Sequence, residues 1–291
     1  MKYILITGAN SYIGTSFEEY IKKWAEQYAV TTIDMIDGTW KKKDFTKYDV
    51  VFHVAGIVHS DKGKIPKEKE NLYYKINTEL TEAVALKAKM EGVNQFIYMS
   101  SMSVYGDSAP IGECKIITKN TKPQPVNAYG DSKLQAEKKI QLLNNDEFKV
   151  VILRPPIIYG KESKGNYPIL SKYAKKTPIF PLINNQRSML YIENLCEFIR
   201  LVIDNSENGV FNPQNKEYVN TCELVQMISL ASKHNIKMIG MFNGIIKCFS
   251  GIVPQINKVF GGYVYDLEMS KYKFEYQLVS FEESIKRTES E

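Results

Sequence analysis

A tyrosine and a lysine stand four residues apart in the segment Tyr129-Gly-Asp-Ser-Lys133, which has the pattern of a helix. That spacing brings both side chains onto one face of the helix. A tyrosine has a pKa of about 10 in water, and a fixed ammonium can lower this pKa by stabilising the phenolate. Of the 19 tyrosines, only Tyr129 is followed by a lysine at this spacing. The pair is therefore a candidate for proton transfer near neutral pH.

The elements around this pair follow a regular alternation of short β-rich runs and longer helical patterns. The alternation predicts a sheet of parallel strands joined by helical crossovers. A later strand at residues 188–192, a helix at 193–203 and a strand near Val210 complete this sheet. The main predicted strands cover residues 2–7, 29–33, 50–54, 95–99 and 148–153, and the predicted helices cover Tyr12 to Trp24, Leu72 to Met90 and Ala128 to Leu143.

Two serines follow the fourth predicted strand, in Met99-Ser-Ser-Met-Ser-Val-Tyr-Gly106. The carboxyl ends of parallel strands form the edge where such sheets bind ligands. A serine hydroxyl at this edge can hydrogen-bond an oxygen of the substrate.

A glycine-containing turn follows the first predicted strand, in Thr7-Gly-Ala-Asn-Ser-Tyr-Ile-Gly14, and leads into a helix. Glycines let the backbone approach a pyrophosphate, and the helix N-terminus offers N–H groups and its dipole to the anion. Ser11 replaces the middle glycine of the usual fingerprint, but a small residue still permits close approach. The predicted dinucleotide contacts in this turn are Gly8, Asn10, Ser11, Tyr12, Ile13 and Gly14.

An aspartate at the end of the second predicted strand, Asp34, can accept hydrogen bonds from the adenosine ribose hydroxyls. It favours NAD(H) over NADP(H). NADP(H) stays the alternative, because Asp37 could take the place of Asp34 and the lysines at 41–43 could reach a 2'-phosphate. Small residues after the third strand leave room for the cofactor to cross the sheet edge: Val54, Ala55 and Gly56.

These motifs, read in order and followed by Arg154-Pro-Pro-Ile-Ile-Tyr-Gly160, make the chain resemble the extended short-chain dehydrogenase/reductase superfamily. The resemblance implies that Ser101, Tyr129 and Lys133 are catalytic. In that superfamily the matching serine and tyrosine hold the reacting oxygen, while the lysine binds the nicotinamide ribose and lowers the tyrosine's pKa. The resemblance also implies cofactor contacts at Tyr129, Lys133, Pro156 and Ile157, and substrate contacts at Ser101, Tyr129, Asn166 and Arg187.

The fold class that follows is α/β, a Rossmann-type doubly wound parallel sheet with a smaller C-terminal substrate-binding lobe. We expect an NAD(P)-binding domain at residues 1–160, completed by residues 188–215. Residues 161–187 and 216–291 are expected to form the lobe that binds the sugar nucleotide. A homodimer is implied by the resemblance, through the helices at 72–90 and 128–143.

Three segments are similar to those of bacterial enzymes that make surface polysaccharide precursors, in capsule and O-antigen synthesis: residues 154–160, Gly165-Asn166 and residues 184–191. These enzymes reduce the C4 keto group of a UDP-4-keto-6-deoxy-N-acetylhexosamine with NAD(P)H. A 4-ketoreductase is therefore the leading hypothesis, and a UDP-sugar 4-epimerase with bound NAD is the alternative. Dehydration is not expected, because it needs an Asp-Glu pair where this chain has Met102 and Ser103. A dinucleotide-sensing protein on the same fold is the hypothesis outside enzymes.

The amino-acid composition indicates which classes of partner and which cellular compartment to expect. The net charge of +5 comes without an arginine-rich arm, which argues against nucleic acid. The four cysteines stand far apart, so we expect neither a metal site nor a disulfide scaffold, and a reduced cytoplasm fits best. No apolar run predicts a membrane span. For residues 238–262, which mix apolar side chains with Lys247 and Lys258, we expect packing within the lobe, with peripheral membrane association as the alternative.

Overall fold

The computed structural model describes residues 1–58 and 66–290, so His59 lies outside the described residues. The strands are β1 Lys2–Thr7, β2 Tyr28–Ile33, β3 Val50–His53, β4 Gln95–Met99, β5 Cys114–Ile117, β6 Lys149–Leu153, β7 Ile157–Tyr159, β8 Ile179–Pro181, β9 Met189–Tyr191, β10 Gly209–Phe211, β11 Lys237–Ile239 and β12 Gly262–Tyr265. The α-helices are α1 Tyr12–Ile21, α2 Lys67–Tyr73, α3 Leu80–Met90, α4 Ala128–Gln141, α5 Asn166–Lys176, α6 Ile192–Asp204, α7 Thr221–Ala231, α8 Asn243–Ser250, α9 Pro254–Phe260 and α10 Phe281–Glu289. Within the described ranges, no helix is long and apolar enough to cross a membrane.

Six strands form the main sheet, in the order β10-β6-β4-β3-β1-β2, and every neighbouring pair is parallel. All five residues of β4 are buried, as expected where helices cover both faces of a parallel sheet. The strand order reverses at β1, which has β2 on one side and β3 on the other. The carboxyl ends of β1 and β3 therefore flank the switch point at which such sheets bind ligands. The predicted α/β fold with a parallel sheet is confirmed. The strand predicted at residues 188–192 does not complete this sheet, however, because β9 pairs with β7 in a separate two-stranded sheet.

The chain divides into two compact units. The first comprises Met1–Gly106, Lys122–Pro155 and Leu195–Asn212, and it contains the six-stranded sheet. The second comprises Asp107–Thr121, Pro156–Asn194 and Pro213–Glu291, with three parallel strand pairs: β5 with β12, β7 with β9 and β8 with β11. Residues 107–121, predicted with the first domain, belong to the second unit because β5 pairs with β12, a partner some 150 residues away in sequence that no local pattern reveals.

The helix predicted over residues 72–90 is longer and less regular than expected. It begins at Lys67 and contains a π-helical turn, Tyr74–Glu79, between α2 and α3. Asn77 in this turn is fully buried, and its side chain accepts a hydrogen bond from the N–H of Ile57 at 2.9 Å and donates to the carbonyl of Ile57 at 3.1 Å. The π turn thus aims an amide at the backbone that follows β3. Such turns are frequent at functional sites.

The last residue of β3, His53, is fully buried between two threonines. The Thr81 hydroxyl donates to the carbonyl of Asn77 at 2.8 Å, so it accepts from Nε2 of His53 at 3.0 Å. The Thr7 hydroxyl then donates to Nδ1 at 2.7 Å. These bonds satisfy a neutral ring with its proton on Nε2. His53 is therefore a packed core residue.

This buried ring should make the stability of the protein depend on pH. Burial lowers the pKa of His53 to about 3, and the charge of Lys133 acts in the same direction. The unfolded chain, with a histidine pKa of about 6.5, binds the extra proton between these two values. The free energy of unfolding should therefore fall as the pH drops below about 6.5, by up to about 1.4 kcal/mol per unit. Urea unfolding at pH 7 and pH 5 measures it; His53→Gln should lose this contribution, while the half-buried His234→Gln serves as control. Equal pH dependence in all three proteins would contradict the assignment.

Candidate active site

The turn after β1 is held between the two neighbouring strands. The N–H groups of Gly8 and Ala9 both donate to the carbonyl of Ile33, at 3.0 and 3.1 Å. A Cβ atom on Gly8, whose φ is +120°, would lie 2.6 Å from the backbone nitrogen of Ala55. The backbone of the turn thus lies directly against the backbone that follows β3, and its contact with a pyrophosphate stays a prediction.

Gly8→Ala is expected to destabilise the first unit by about 2–4 kcal/mol, because it adds backbone strain and an overlap with a neighbouring main chain. Gly92→Ala is the matched control. Gly92 also has a positive φ, +78°, but nothing lies within 4 Å of its Cβ position. The control should lose only about 1 kcal/mol in urea unfolding. Equal losses in the two variants would show that close approach at Ala55 does not matter.

Ser11 has a structural role that explains its place in the turn. Its hydroxyl caps α1 by accepting from the N–H of Gly14 at 3.0 Å. A Cβ atom on Gly14 would lie 2.6 Å from that hydroxyl, so the serine and the glycine depend on each other. Asn10 has φ +62°, a left-handed conformation that asparagine tolerates well. Tyr12 and Ile13 begin α1 and are half-buried.

The acidic candidates differ in their surroundings. Asp34 is exposed directly after β2, and one of its oxygens accepts from the N–H of Ile36 at 2.8 Å. Asp37 closes its own turn by accepting from the N–H and the hydroxyl of Thr39, at 3.0 and 2.7 Å, and these bonds lower the pKa of Asp37. Asp34 adjoins Ile33, whose carbonyl accepts from the turn after β1, whereas Asp37 lies three residues further along the chain.

Lys133 lies between the ends of β3 and β4. Its side chain is buried, and Nζ donates to the carbonyl of Met99 at 2.8 Å. A Cβ atom on Gly56 would lie 3.0 Å from the side-chain oxygen of Asn77 and 3.1 Å from Nζ of Lys133. The absence of a side chain at Gly56 leaves the space that the Lys133 ammonium and the Asn77 amide occupy beside the end of β3. A side chain at this position would push against both groups, so one of them would have to shift. Asn77, which sequence reasoning missed, is marked in the sequence only as a lone amide within a helical pattern.

Tyr129 and Lys133 both belong to α4, which Asn127 caps by accepting from the N–H of Gly130 at 2.9 Å. Burial raises the pKa of Tyr129, and the side chain of Ser101 acts in the opposite direction. The Ser101 hydroxyl itself donates to the hydroxyl of Ser103 and accepts from the N–H of Ser103, both at 3.1 Å. Burial lowers the pKa of Lys133 to about 8, while the nearby Glu137 raises it. The structure thus brings the serine near the phenol and places the lysine one helical turn away. That Lys133 lowers the pKa of Tyr129 stays a prediction.

A buried ionic network supports the lysine from the next turn of α4. Glu137 is 2% exposed and accepts from Arg154 at 2.5 Å and from the hydroxyl of Ser100. Arg154 also donates to the hydroxyl of Tyr105 at 2.6 Å. The sequence reasoning passed over Glu137, although its position four residues after Lys133 places it on the same helix face. The network ties the end of β4 to the end of β6 and keeps a negative charge near Lys133.

In the second unit, Arg187 is the candidate with the most distinctive environment. It is 9% exposed, and its Nη1 donates to the carbonyl of Gly261 at 3.0 Å, but its Nε has no partner among the described residues. Burial lowers the pKa of Arg187 to about 10. A cavity of about 200 Å³ adjoins this position in the chain and is lined by Gly112, Glu113, Cys114, Asn184, Asn185 and Gln186.

The other predicted contacts lie apart from this arginine. Asn166 is exposed at the start of α5, and no described hydrogen bond joins it to Arg187. Pro156 and Ile157 belong to the second unit, at the start of β7, so their contact with a nicotinamide stays a prediction. Val54 and Ala55 follow β3, and their N–H groups donate to the carbonyl of Thr7 at 3.1 and 2.9 Å. Among the described residues, no cluster of His, Cys, Asp and Glu could hold a metal ion.

Comparisons with known proteins agree with this geometry. UDP-glucose 4-epimerase of Vibrio cholerae is 32% identical over 79% of this chain and 76% of its own length. The N-acetyl-alpha-D-glucosaminyl-diphospho-ditrans,octacis-undecaprenol 4-epimerase of Escherichia coli O157:H7 is 28% identical over 84% of this chain and 78% of its own length. The solved UDP-glucuronic acid 4-epimerase of Bacillus cereus, in complex with NAD, has the same fold, with a TM-score of 0.73, 20% identity and coverage of 98% of this chain and 96% of its own.

The family comparison covers most of the chain. The model of the NAD dependent epimerase/dehydratase family matches residues 4–214, which include the loop after β1, the strand ends and α4. Together with the parallel sheet and its switch point, this match shows that the chain belongs to the NAD dependent epimerase/dehydratase family.

Proposed function

We propose that the protein transfers a hydride at C4 of a UDP-sugar, with a nicotinamide dinucleotide as cofactor. The observation that carries the proposal is the placement of Tyr129 near the hydroxyl of Ser101 and one helical turn from the buried Lys133, whose Nζ lies beside the backbone that follows β3. The fit to a dinucleotide rests on the Gly8 turn, which leads into the N-terminus of α1, and on its place at the switch point of the parallel sheet. Asp34 favours NAD(H).

The chain's own residues handle the proton in this reaction. When bound, the nicotinamide supplies or accepts the hydride. Tyr129 gives a proton to the sugar oxygen as a keto group is reduced, or takes it as a hydroxyl is oxidised, and Ser101 hydrogen-bonds the same oxygen. Lys133 provides a positive charge that favours the phenolate. Its buried amine, with a pKa of about 8, holds that charge at neutral pH.

A UDP-sugar is supported by the second unit and by the relatives. A buried guanidinium with an unused Nε–H, next in sequence to the lining of a cavity, suits a diphosphate, since a guanidinium can donate to phosphate oxygens. Both relatives compared above carry the name of a 4-epimerase, and the first acts on UDP-glucose by name. We therefore place C4 epimerisation first and the C4 ketoreductase second. The ketoreductase is favoured by the short segment between Gly160 and Arg187, which leaves less chain to enclose a sugar that must turn over.

The decisive experiment uses the purified protein and two substrates. In one reaction it receives UDP-N-acetylglucosamine or UDP-glucose without added cofactor; in the other it receives a UDP-4-keto-6-deoxy-N-acetylhexosamine with NADH or NADPH. Sugar NMR then identifies the product. Epimerisation with retained NAD supports the first candidate, whereas consumption of added reduced cofactor supports the second. If neither C4 product forms, the proposed reaction is wrong.

The substrate site is tested separately with Arg187→Met and its control Arg200→Met. Loss of the buried guanidinium should raise KM for the UDP-sugar by about 10-fold or more, with a smaller effect on kcat, because a charge-assisted contact to the diphosphate is lost. Arg200 lies in the first unit and pairs with Glu197 at 2.6 Å and Asp204 at 2.7 Å, so its variant should leave KM unchanged. An unchanged KM in Arg187→Met would remove this arginine from the substrate site.

A further inference from the structure

Helix α8 of the second unit leaves an apolar face uncovered. Ile245 and Phe249 lie one turn apart on this helix and are 57% and 52% exposed. Met241 and Ile252 continue the same helical spacing on either side and are 76% and 77% exposed. Together with Leu182, which is 52% exposed, these residues define the apolar face: Leu182, Met241, Ile245, Phe249 and Ile252. The expected packing of residues 238–262 within the lobe thus leaves out Met241, Ile245, Phe249 and Ile252, which are more than half exposed.

Hydrogen bonds and ring packing hold α8 and α9 against the rest of the second unit. Asn243, the first residue of α8, donates from its side chain to the carbonyl of Leu182 at 2.6 Å. Asn257 in α9 donates to the carbonyl of Ser250 at 3.0 Å, and this bond joins the two helices. Phe260 packs against Phe180 of β8 with ring centroids 5.6 Å apart. The helices are thus tied to the unit by one set of residues and present a different set to solvent.

The segment that carries most of this face has charges of one sign. From residue 224 to residue 265 the sequence contains no Asp or Glu, but it contains four lysines: Lys233, Lys237, Lys247 and Lys258. Lys233, Lys237 and Lys247 are exposed, and Lys247 lies within α8. A short amphipathic helix with large apolar side chains and basic neighbours suits the interface of an anionic bilayer, where the apolar side chains enter the headgroup boundary and the lysines meet lipid phosphates.

We propose that the apolar face docks the protein onto an anionic membrane surface. The inference goes beyond the proposed reaction and does not depend on it. A second copy of the chain is the competing occupant, but a self-association face would bring the lysines of two copies close to one another. An anionic lipid surface instead complements the charge of the whole 224–265 segment.

The test is sedimentation of the full-length protein with vesicles of phosphatidylcholine alone, or of phosphatidylcholine and phosphatidylglycerol in equal parts. We expect the anionic vesicles to bind at least about 10-fold more tightly, and high salt to weaken this binding. Phe249→Asp/Ile252→Asp should lower binding by about 10-fold or more. The control Phe274→Asp/Leu278→Asp changes residues of the same unit that are 46% and 59% exposed, and it should stay within about 2-fold of wild type.

A lysine variant and thermal unfolding distinguish loss of membrane binding from loss of folding. Lys247→Glu/Lys258→Glu should weaken binding to anionic vesicles while leaving the phosphatidylcholine baseline unchanged, and thermal unfolding should show that all variants are folded. The proposal is overturned if wild type does not bind anionic vesicles, or if the Phe249→Asp/Ile252→Asp variant binds as well as the control. It is equally overturned if that variant only converts a dimer to a monomer in size-exclusion chromatography, because the face would then join two copies. Each readout is independent of turnover, so failure of the proposed reaction leaves it intact.

Discussion

Tyr129→Phe is expected to lower kcat for the C4 reaction by about 10²–10⁴-fold, because it removes the proton donor and keeps the ring. The phenol lies near the hydroxyl of Ser101, and no step of the proposed reaction can proceed without a proton entering or leaving at the sugar oxygen. Dinucleotide affinity should change by no more than about 2-fold, since the Gly8 turn and Lys133 are untouched. Steady-state kinetics and a cofactor titration measure the two effects.

The control for this variant is Tyr73→Phe, the same chemical change in a neighbouring ring. Tyr73 is buried, its ring lies 6.2 Å from that of Tyr129, and its hydroxyl donates to the carbonyl of Val58 at 3.4 Å. This long bond should contribute little, so turnover should remain near wild type. Retention of most turnover in Tyr129→Phe, or an equal loss in Tyr73→Phe, would remove Tyr129 from its proposed role.

Arg154→Met is expected to lower the free energy of unfolding by about 3–5 kcal/mol, because it strands a buried carboxylate without its cation. Glu137 is 2% exposed and receives hydrogen bonds from both Nε and Nη2 of Arg154, at 3.0 and 2.5 Å. Methionine keeps most of the side-chain volume, so loss of packing is small. Urea unfolding at pH 7 measures the effect.

Two variants separate the stranded charge from other causes. Arg287→Met breaks ion pairs at 2.8 and 3.2 Å in which the arginine is 46% exposed, and it should cost about 1 kcal/mol or less. The double variant Glu137→Met/Arg154→Met removes both charges and should be more stable than Arg154→Met alone. If the double variant is less stable than the single one, the burial of an unpaired carboxylate is not the cause of the loss.

Most of the sheet could be predicted from the sequence because its strands are buried on both faces and read as continuous apolar runs. The five main predicted strands agree with β1, β2, β3, β4 and β6 to within a residue or so. The irregular features could not be predicted in the same way. The π turn at Tyr74–Glu79 changes no hydrophobic spacing strongly enough to be noticed, and the pairing of β5 with β12 joins segments far apart in the chain.

The sequence by itself predicted that a tyrosine, a lysine and a glycine-containing turn would lie on a parallel α/β sheet. It could do so because helical spacing and the alternation of strands and helices are local properties. Only the tertiary structure decided what surrounds them. It placed Gly56 and Asn77 against Lys133. It buried the ion pair of Glu137 and Arg154 one turn further along α4, and it left the side chain of Phe249 about half exposed. Burial and contacts between residues far apart in the chain set the protonation state of each of these side chains. Neither can be read from the sequence, because both depend on how distant segments pack together.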